Sequence, residues 1–213
     1  MPFTTHELLI FSLACLLLVL TPGPNMIYCV SRSITQGARA GMLSLVGVVL
    51  GIVVHLTAAI AGLSALLAAM PMAFEVLRIA GASYLLWLAW QAVKPGGAAP
   101  FEVRDLPHDG PRKLFAMGFL TCALNPKVAM FYLSLFPQFL HPERGHLLLQ
   151  SLSLGAIQVT TSAAVNALLV LFAAQVAGFL NRSPAWLRAQ RYVMGSVLAL
   201  LALKIITDRK TPA

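Results

Sequence analysis

Long apolar runs interrupted by short polar breaks make up nearly the whole chain. Six can be drawn, at Leu8 to Ile34, Ala40 to Ala69, Ala73 to Val93, Leu114 to Leu140, Leu147 to Leu180 and Ala189 to Ile206. Each is near or above the roughly 20 apolar residues that a helix needs to cross a bilayer. The third is the weakest, because Glu75 and Arg78 leave only Ile79 to Val93 without charge, although their spacing lets the pair neutralise itself near a membrane surface. The pattern predicts an all-α integral membrane protein with six transmembrane helices, or five if the third segment does not cross.

The longest polar stretch, Lys94 to Lys113, is rich in Pro, Gly and mixed charge and reads as a flexible linker. It divides a single membrane domain into a first three-helix repeat, 1–93, and a second, 114–213. The halves look related: Leu20-Thr21-Pro22-Gly23-Pro24-Asn25 returns one hundred positions on as Leu120-Thr121-Cys122-Ala123-Leu124-Asn125-Pro126. Gly81 to Leu88 has a fainter partner in Gly195 to Ala202. With three spans per half, the second copy enters the membrane from the opposite side, which predicts two inverted repeats with broken first and fourth helices.

Composition agrees with that pattern, since 59% of the 213 residues are hydrophobic and only 10% are charged. The net charge of +8 lies in short segments between apolar runs and at the C-terminus, where it reads as topology and lipid headgroup contact. A basic stripe interleaved with aromatics is missing, so nucleic acid is not an expected partner. Nine Lys and Arg residues fall on one side (32, 39, 94, 104, 112, 113, 182, 188, 191) and five on the other (78, 144, 204, 209, 210), which favours the first set in the cytoplasm and both termini outside. The N-terminal run leads into Thr21-Pro22-Gly23, with no small-residue cleavage site, and is expected to be retained. Cys15, Cys29 and Cys122 sit in apolar surroundings at spacings that suit packing better than disulfides or metal.

The break Thr21-Pro22-Gly23-Pro24-Asn25 is the sharpest local signal. Two prolines remove N–H donors and glycine permits unwound backbone, with apolar helix on both sides. Non-helical backbone at that depth is tolerated only where it is buried in protein or lines a watery cavity. Asn125-Pro126-Lys127 supplies the same chemistry in the other half, Asn as a helix cap and Pro at the first helical position. Helix N-termini present unpaired N–H groups and partial positive charge, so two such ends facing one cavity suit a carboxylate.

Lys127 is the one Lys or Arg placed well away from both ends of an apolar stretch. Snorkelling to an interface is the bland reading, and a functional charge is the sharper one. It needs an anion or strong dipoles to compensate it, and a bound substrate is the expected partner, because no Asp or Glu falls inside a confident span. His55 is the candidate proton relay, weighed against a simple interhelical hydrogen bond. Gln158, Thr160, Thr161, Asn166 and Gln175 are more readily explained as interhelical glue, and Gly47 and Gly51 as a close helix crossing.

Missing parts exclude further classes. The chain lacks intramembrane carboxylates for hard divalent cations, and it lacks hydrolase sets and phosphate-binding glycine loops, so an enzyme, a metal exporter and an ATP-driven pump are disfavoured. No cofactor is called for.

With these residues in hand, the chain resembles the LysE/RhtB family of amino-acid exporters. The matching pieces are Leu20 to Asn25, Gly81 to Leu88, and Gly118 to Lys127 followed by Phe131-Tyr132 and Pro137-Gln138-Phe139, in an order that covers essentially the whole chain. The resemblance implies a bacterial cytoplasmic (inner) membrane transporter that exports amino acids or close derivatives such as homoserine, threonine or leucine, driven by the proton-motive force. The lack of an intramembrane carboxylate leans toward neutral amino acids. Thr21, Pro22, Gly23, Pro24, Asn25, Asn125, Pro126 and Lys127 are the expected substrate-binding residues. The expected partners are the amino-acid substrate and the lipid bilayer, with a homo-oligomer left open. The competing reading is a non-transporting membrane scaffold whose breaks are packing kinks. Convergence of Asn25, Asn125 and Lys127 on a polar cavity favours the transporter, and a dry, Leu-filled space between them favours the scaffold.

Overall fold

A computed structural model describes residues 2–21, 23–69 and 107–173, together with 79, 82, 83, 86, 87, 89, 90, 93, 94, 175, 192, 195, 196, 199, 200, 202 and 203; at 63–69 and 126 only the backbone is described. The described residues are helical, with no strand among them. In chain order the elements are α1 (Thr5–Leu20), α2 (Pro24–Gln36), α3 (Ala38–Ala69), α4 (Pro111–Ala123), the short α5 (Pro126–Met130) and α6 (Leu147–Leu171). A wide π-helical turn, Phe131–Leu135, and two tight turns, Phe136–Phe139 and Pro142–Arg144, join α5 to α6.

Two of these helices are long and apolar enough to cross a membrane, α3 over Ala38–Gly62 and α6 over Leu147–Leu171. The count rises to four if each bent pair is one span. These pairs are α1 with α2, bent by 55°, and α4 with Lys127–Phe139, bent by 47°. They correspond to the first, second, fourth and fifth apolar runs. The third and sixth runs, and most of the 94–113 linker, lie largely outside the described residues.

The helix faces follow a bilayer solvent. Helix α1 buries Phe11, Ala14, Cys15, Leu18 and Val19, one helical stripe, and leaves Leu9, Leu13 and Leu16 exposed. Helix α6 is reversed relative to a soluble helix. It buries Gln150, Ser151, Gln158, Ser162 and Asn166 and exposes Leu148, Leu149, Leu152, Leu168 and Leu171. Such a face is stable only where lipid receives the leucines and the protein interior satisfies the amides.

Helices α3 and α4 touch backbone to backbone. A Cβ on Gly47 would collide with the Phe115 carbonyl, and one on Gly118 with the Ser44 carbonyl. One turn further along α3, Gly51 lies against Cys122. The Gly47 and Gly51 pair is thus the close crossing its spacing predicts. It draws α3 onto the end of α4 and places His55, the next residue on that face, beside the second break. The corner between α2 and α3 is Gly37, whose φ of 88° is open to glycine and closed to most side chains.

Charged contacts cluster at the two ends of the bundle. At one end Arg32 of α2 is buried against Asp109, which also pairs with Lys113 at 2.8 Å, while Arg32 donates to the Pro107 carbonyl at 2.9 Å and lies 5.4 Å from the Tyr28 ring centre. The Lys113 hydrogen bond and the Arg32 guanidinium hold the Asp109 carboxyl below the usual carboxylate range. At the other end, Arg144 donates through both terminal nitrogens to Glu7 of α1, each at 2.9 Å. That fork raises the Arg144 guanidinium above its ordinary value.

Candidate functional site at the two helix breaks

Both breaks arise from local chemistry. Helix α1 stops because Pro24 cannot supply a backbone donor and its ring obstructs the preceding turn. The last regular bonds of α1 run from Thr21 to the Leu17 carbonyl, by its N–H at 3.0 Å and its hydroxyl at 2.7 Å. Helix α2 restarts with Pro24 at its first position, after Gly23 in extended backbone, and no side chain caps its N-terminus. The N–H groups of that first turn are therefore donors without helical acceptors. Pro22 lies outside the described residues.

At the second break, α4 ends at Ala123, with Leu124 as its C-terminal cap, and α5 restarts with Pro126. Here the cap is made: the Asn125 side-chain oxygen accepts the Lys127 N–H at 2.9 Å. Helix α5 lasts only five residues before the π-helical turn. Pro137 favours that widening, because a proline ring cannot sit over an ordinary α-helical carbonyl four residues back.

The two breaks meet. The Asn125 amide donates to the Asn25 side-chain oxygen at 2.9 Å, a bond between positions one hundred residues apart that correspond in the two sequence motifs. Asn125 is 1% exposed. Lys127 crosses to the other break, where its ammonium donates to the carbonyls of Thr21 at 2.6 Å and Leu18 at 3.0 Å. These are end carbonyls of α1, where the helix dipole places partial negative charge. The compensation that Lys127 needs thus comes from backbone dipoles, which the composition of the spans leaves as the alternative to an anion. Gly23 makes the approach possible, since a Cβ there would lie 3.0 Å from the Lys127 nitrogen. Asn25, Asn125 and Lys127, with Thr21 and Gly23, therefore form one contiguous polar group. Pro24 is exposed at the α2 start.

His55 occupies the mirrored place. Its Nε2 is 3.1 Å from the Cys122 carbonyl at the end of α4. A carbonyl only accepts, so that nitrogen carries the hydrogen and a neutral ring keeps its lone pair on Nδ1. The ring stacks 6.2 Å from Tyr132, nearly parallel, and the Tyr132 hydroxyl donates to Gln158 at 2.8 Å. Gln158 is buried, as is Asn166, which donates to the Ser162 carbonyl at 2.9 Å. Thr160 and Gln175 are exposed and Thr161 half-buried, none of them joined to this group. Tyr132 was legible only as part of an aromatic pair, because its buried hydroxyl needs a partner that the linear sequence does not show. Cys15, Cys29 and Cys122 are buried free thiols. Among the described residues, no three His, Cys, Asp or Glu side chains gather as a metal site.

The chain can be compared with known proteins on this footing. It is 30% identical over 200 residues to a homoserine/homoserine lactone efflux protein of Salmonella typhimurium, covering 93% of this chain and 95% of that one. It is 31% identical over 205 residues to an uncharacterized membrane protein of Vibrio cholerae, covering 96% and 98%. A leucine efflux protein of Klebsiella pneumoniae is 34% identical over 145 residues, 65% of each chain. No solved structure matches. The model of the LysE type translocators matches residues 16–209, a span that takes in both helix breaks, and the chain belongs to that family of membrane efflux transporters.

Proposed function

We propose that this protein exports neutral amino acids or their close derivatives across the cytoplasmic membrane of a bacterium, coupled to proton entry, through a site between the two helix breaks. The architecture proposed for it is six spans in two inverted three-helix repeats, 1–93 and 114–213, joined by the 94–113 linker, with both termini outside. The observation that carries the reading is the Asn125 to Asn25 hydrogen bond, which joins two breaks that are each costly to keep in a membrane. The relatives named for homoserine and leucine efflux support a neutral zwitterion as cargo.

In this reading the substrate carboxylate binds the first-turn N–H groups of α2 and the ammonium of Lys127, where the dipole and the charge add. The Asn25 and Asn125 side-chain oxygens and the broken-helix carbonyls receive the substrate ammonium. Helix α5 contributes less than α2, because Asn125 already caps it and it is short. Pro22, Pro24 and Pro126 act through the backbone, by keeping the breaks open. His55 is the proton relay: a proton arriving at Nδ1 creates a cation at the end of α4, where the helix dipole favours it. One proton entering down about 100 mV supplies roughly 2.3 kcal/mol, enough to bias export of a neutral zwitterion.

The test is accumulation of individual amino acids outside cells that express the protein, compared with an Asn25→Ala control. Equal accumulation in both removes the site. Substrate-dependent proton flux in liposomes tests the coupling, and export without such flux removes that part alone. For orientation, a reporter that works only in the cytoplasm is expected to be active in the 94–113 linker and silent at Ala213; the opposite pattern inverts the topology.

A further inference from the structure

The end of the bundle that holds the N-terminus carries a second polar group, well separated in sequence from the helix breaks. His141, 9% exposed, lies with Nε2 3.0 Å from a Glu7 oxygen and Nδ1 3.0 Å from a Glu143 oxygen. Glu7 belongs to α1 and also takes the two-pronged donation of Arg144. Arg144 reaches further, to the Pro2 carbonyl at 3.0 Å. The backbone of His141 is held independently. Gln150 of α6 accepts its N–H and donates to its carbonyl, both at 2.9 Å, and donates again to the Gly145 carbonyl at 2.7 Å. The ring of Phe3 closes over the imidazole, 6.4 Å away and edge-on. The groups facing His141 are thus Glu7 from α1, Glu143 and, beyond Glu7, Arg144 from its own turn, the neutral amide of Gln150 from α6, and Phe3.

Carboxylates only accept hydrogen bonds, and a neutral imidazole donates from one nitrogen alone. Nδ1 is hydrogen-bonded to Glu143 and Nε2 lies at ion-pair distance from Glu7, so both contacts are favourable together only when the ring carries its second proton. In that state two carboxylates face two cations across the seam between α1 and the 141–144 turn. Remove the proton and a lone pair faces a carboxylate oxygen, with one negative charge left over. Gln150 keeps the histidine from backing away, so the adjustment falls on the carboxylate partners.

We propose that His141 is a proton-binding site that fastens the start of α1 to the 141–144 turn, and that loss of this proton loosens that end of the molecule. The inference rests on the transporter reading for its consequence: in the orientation given above this end faces outside, so external acid favours its closure. The proton enters and leaves on the same side. It sets how often the outer end opens and is not itself carried across, unlike a proton relayed through His55. Arg144 keeps its hold on Glu7 at either pH, so the change is a shift of population and not a complete release.

The test uses the full chain in liposomes, with spin labels on cysteines introduced at the exposed positions Thr5 and Leu148, and no substrate present. As pH rises from about 5 to about 8, the interval in which imidazoles exchange protons, the fraction of molecules with the longer label separation is expected to grow. His141→Gln, which can still donate to Glu7, is expected to give the same distribution at both pH values, resembling the wild type at high pH. Glu143→Gln, an exposed change that tests the idea if His141→Gln does not fold, is expected to shrink the pH shift, because the amide can donate to the neutral ring. A wild-type distribution that ignores pH overturns the proposal, as does a shift that survives unchanged in both variants. Because the distance is read without substrate, a protein that shows the shift but exports nothing would retire the transporter reading and leave the lock standing.

Discussion

The break between α1 and α2 and the break between α4 and α5 start from the same recipe, a Leu-Thr turn followed by Pro and Asn, and are finished differently. At the first, the restarting helix is left uncapped by side chains, and the cation on the stopped helix is Lys127, borrowed from the other half. At the second, Asn125 caps the restart, and the group on the stopped helix is His55, borrowed from the first half. Each break is thus completed by a side chain from the other half of the chain. One receives an ammonium, a compact point charge on a flexible stem, and the other a planar imidazole ring with two distinct nitrogens. Repetition of a motif supplies two similar helix ends, and small differences beside them give each a different side chain from the other half of the chain.

The largest effect is expected where the comparison is most one-sided. Gly23 is in extended backbone that any residue adopts, so its value lies in the space it leaves for Lys127. Gly23→Val is expected to displace the ammonium and bring export to background, measured as substrate efflux normalised to folded protein in detergent. Gly23→Ala, whose methyl meets only the movable end of the lysine, is expected to retain a good part. Equal loss in both variants would point to backbone and not to Lys127.

Lys127→Met comes next, with export expected to fall at least about tenfold, which corresponds to roughly 1.4 kcal/mol. Since Thr21 and Leu18 also lose a donor, folded stability is expected to fall by about 1–3 kcal/mol, read in a thermal or denaturant melt. Lys127→Arg should recover only part of each. A Lys127→Met protein with unchanged export and melting would leave the first break without its cation and erase the contrast.

The asparagines separate by a smaller margin. Asn125 both donates to Asn25 and caps α5, whereas Asn25 accepts from Asn125. Asn125→Leu is therefore expected to lower export more than Asn25→Leu, and the double variant to lose less than the two losses combined, because they share one bond. Additive losses would mean that the two breaks act separately.

The smallest effect at fixed pH is expected from His55→Gln. A glutamine can still donate to the Cys122 carbonyl and hold the end of α4, so folded protein should be little changed. Its export should lose its dependence on a pH gradient while downhill efflux continues. Retained pH coupling would return His55 to the role of an interhelical hydrogen bond.

How much of this was readable beforehand divides along a physical line. The first, second, fourth and fifth apolar runs, the buried amides Gln158 and Asn166 of α6 and the position of both breaks were legible, because hydrocarbon penalises free backbone groups and charges wherever they occur. For the same reason Asn25, Asn125 and Lys127 stood out as single letters. Arg32 and Glu7 did not. Arg32 read only as a topology signal and Glu7 drew no reading, and their partners Asp109 and Arg144 lie in polar connections that no periodicity links to α1 or α2.

The sequence by itself determined which groups must find partners: helix ends cut by proline, a lysine in an apolar run, amides on α6. Tertiary structure alone decided which partners they find. Lys127 settles on the end of α1, and His55 on the end of α4, because Gly47, Gly51 and Gly118 let α3 and α4 approach to backbone contact and carry the histidine there. Need for a partner is a property of one residue and its solvent. Choice of partner depends on distances between segments up to a hundred or more positions apart, and those distances exist only once the helices have packed.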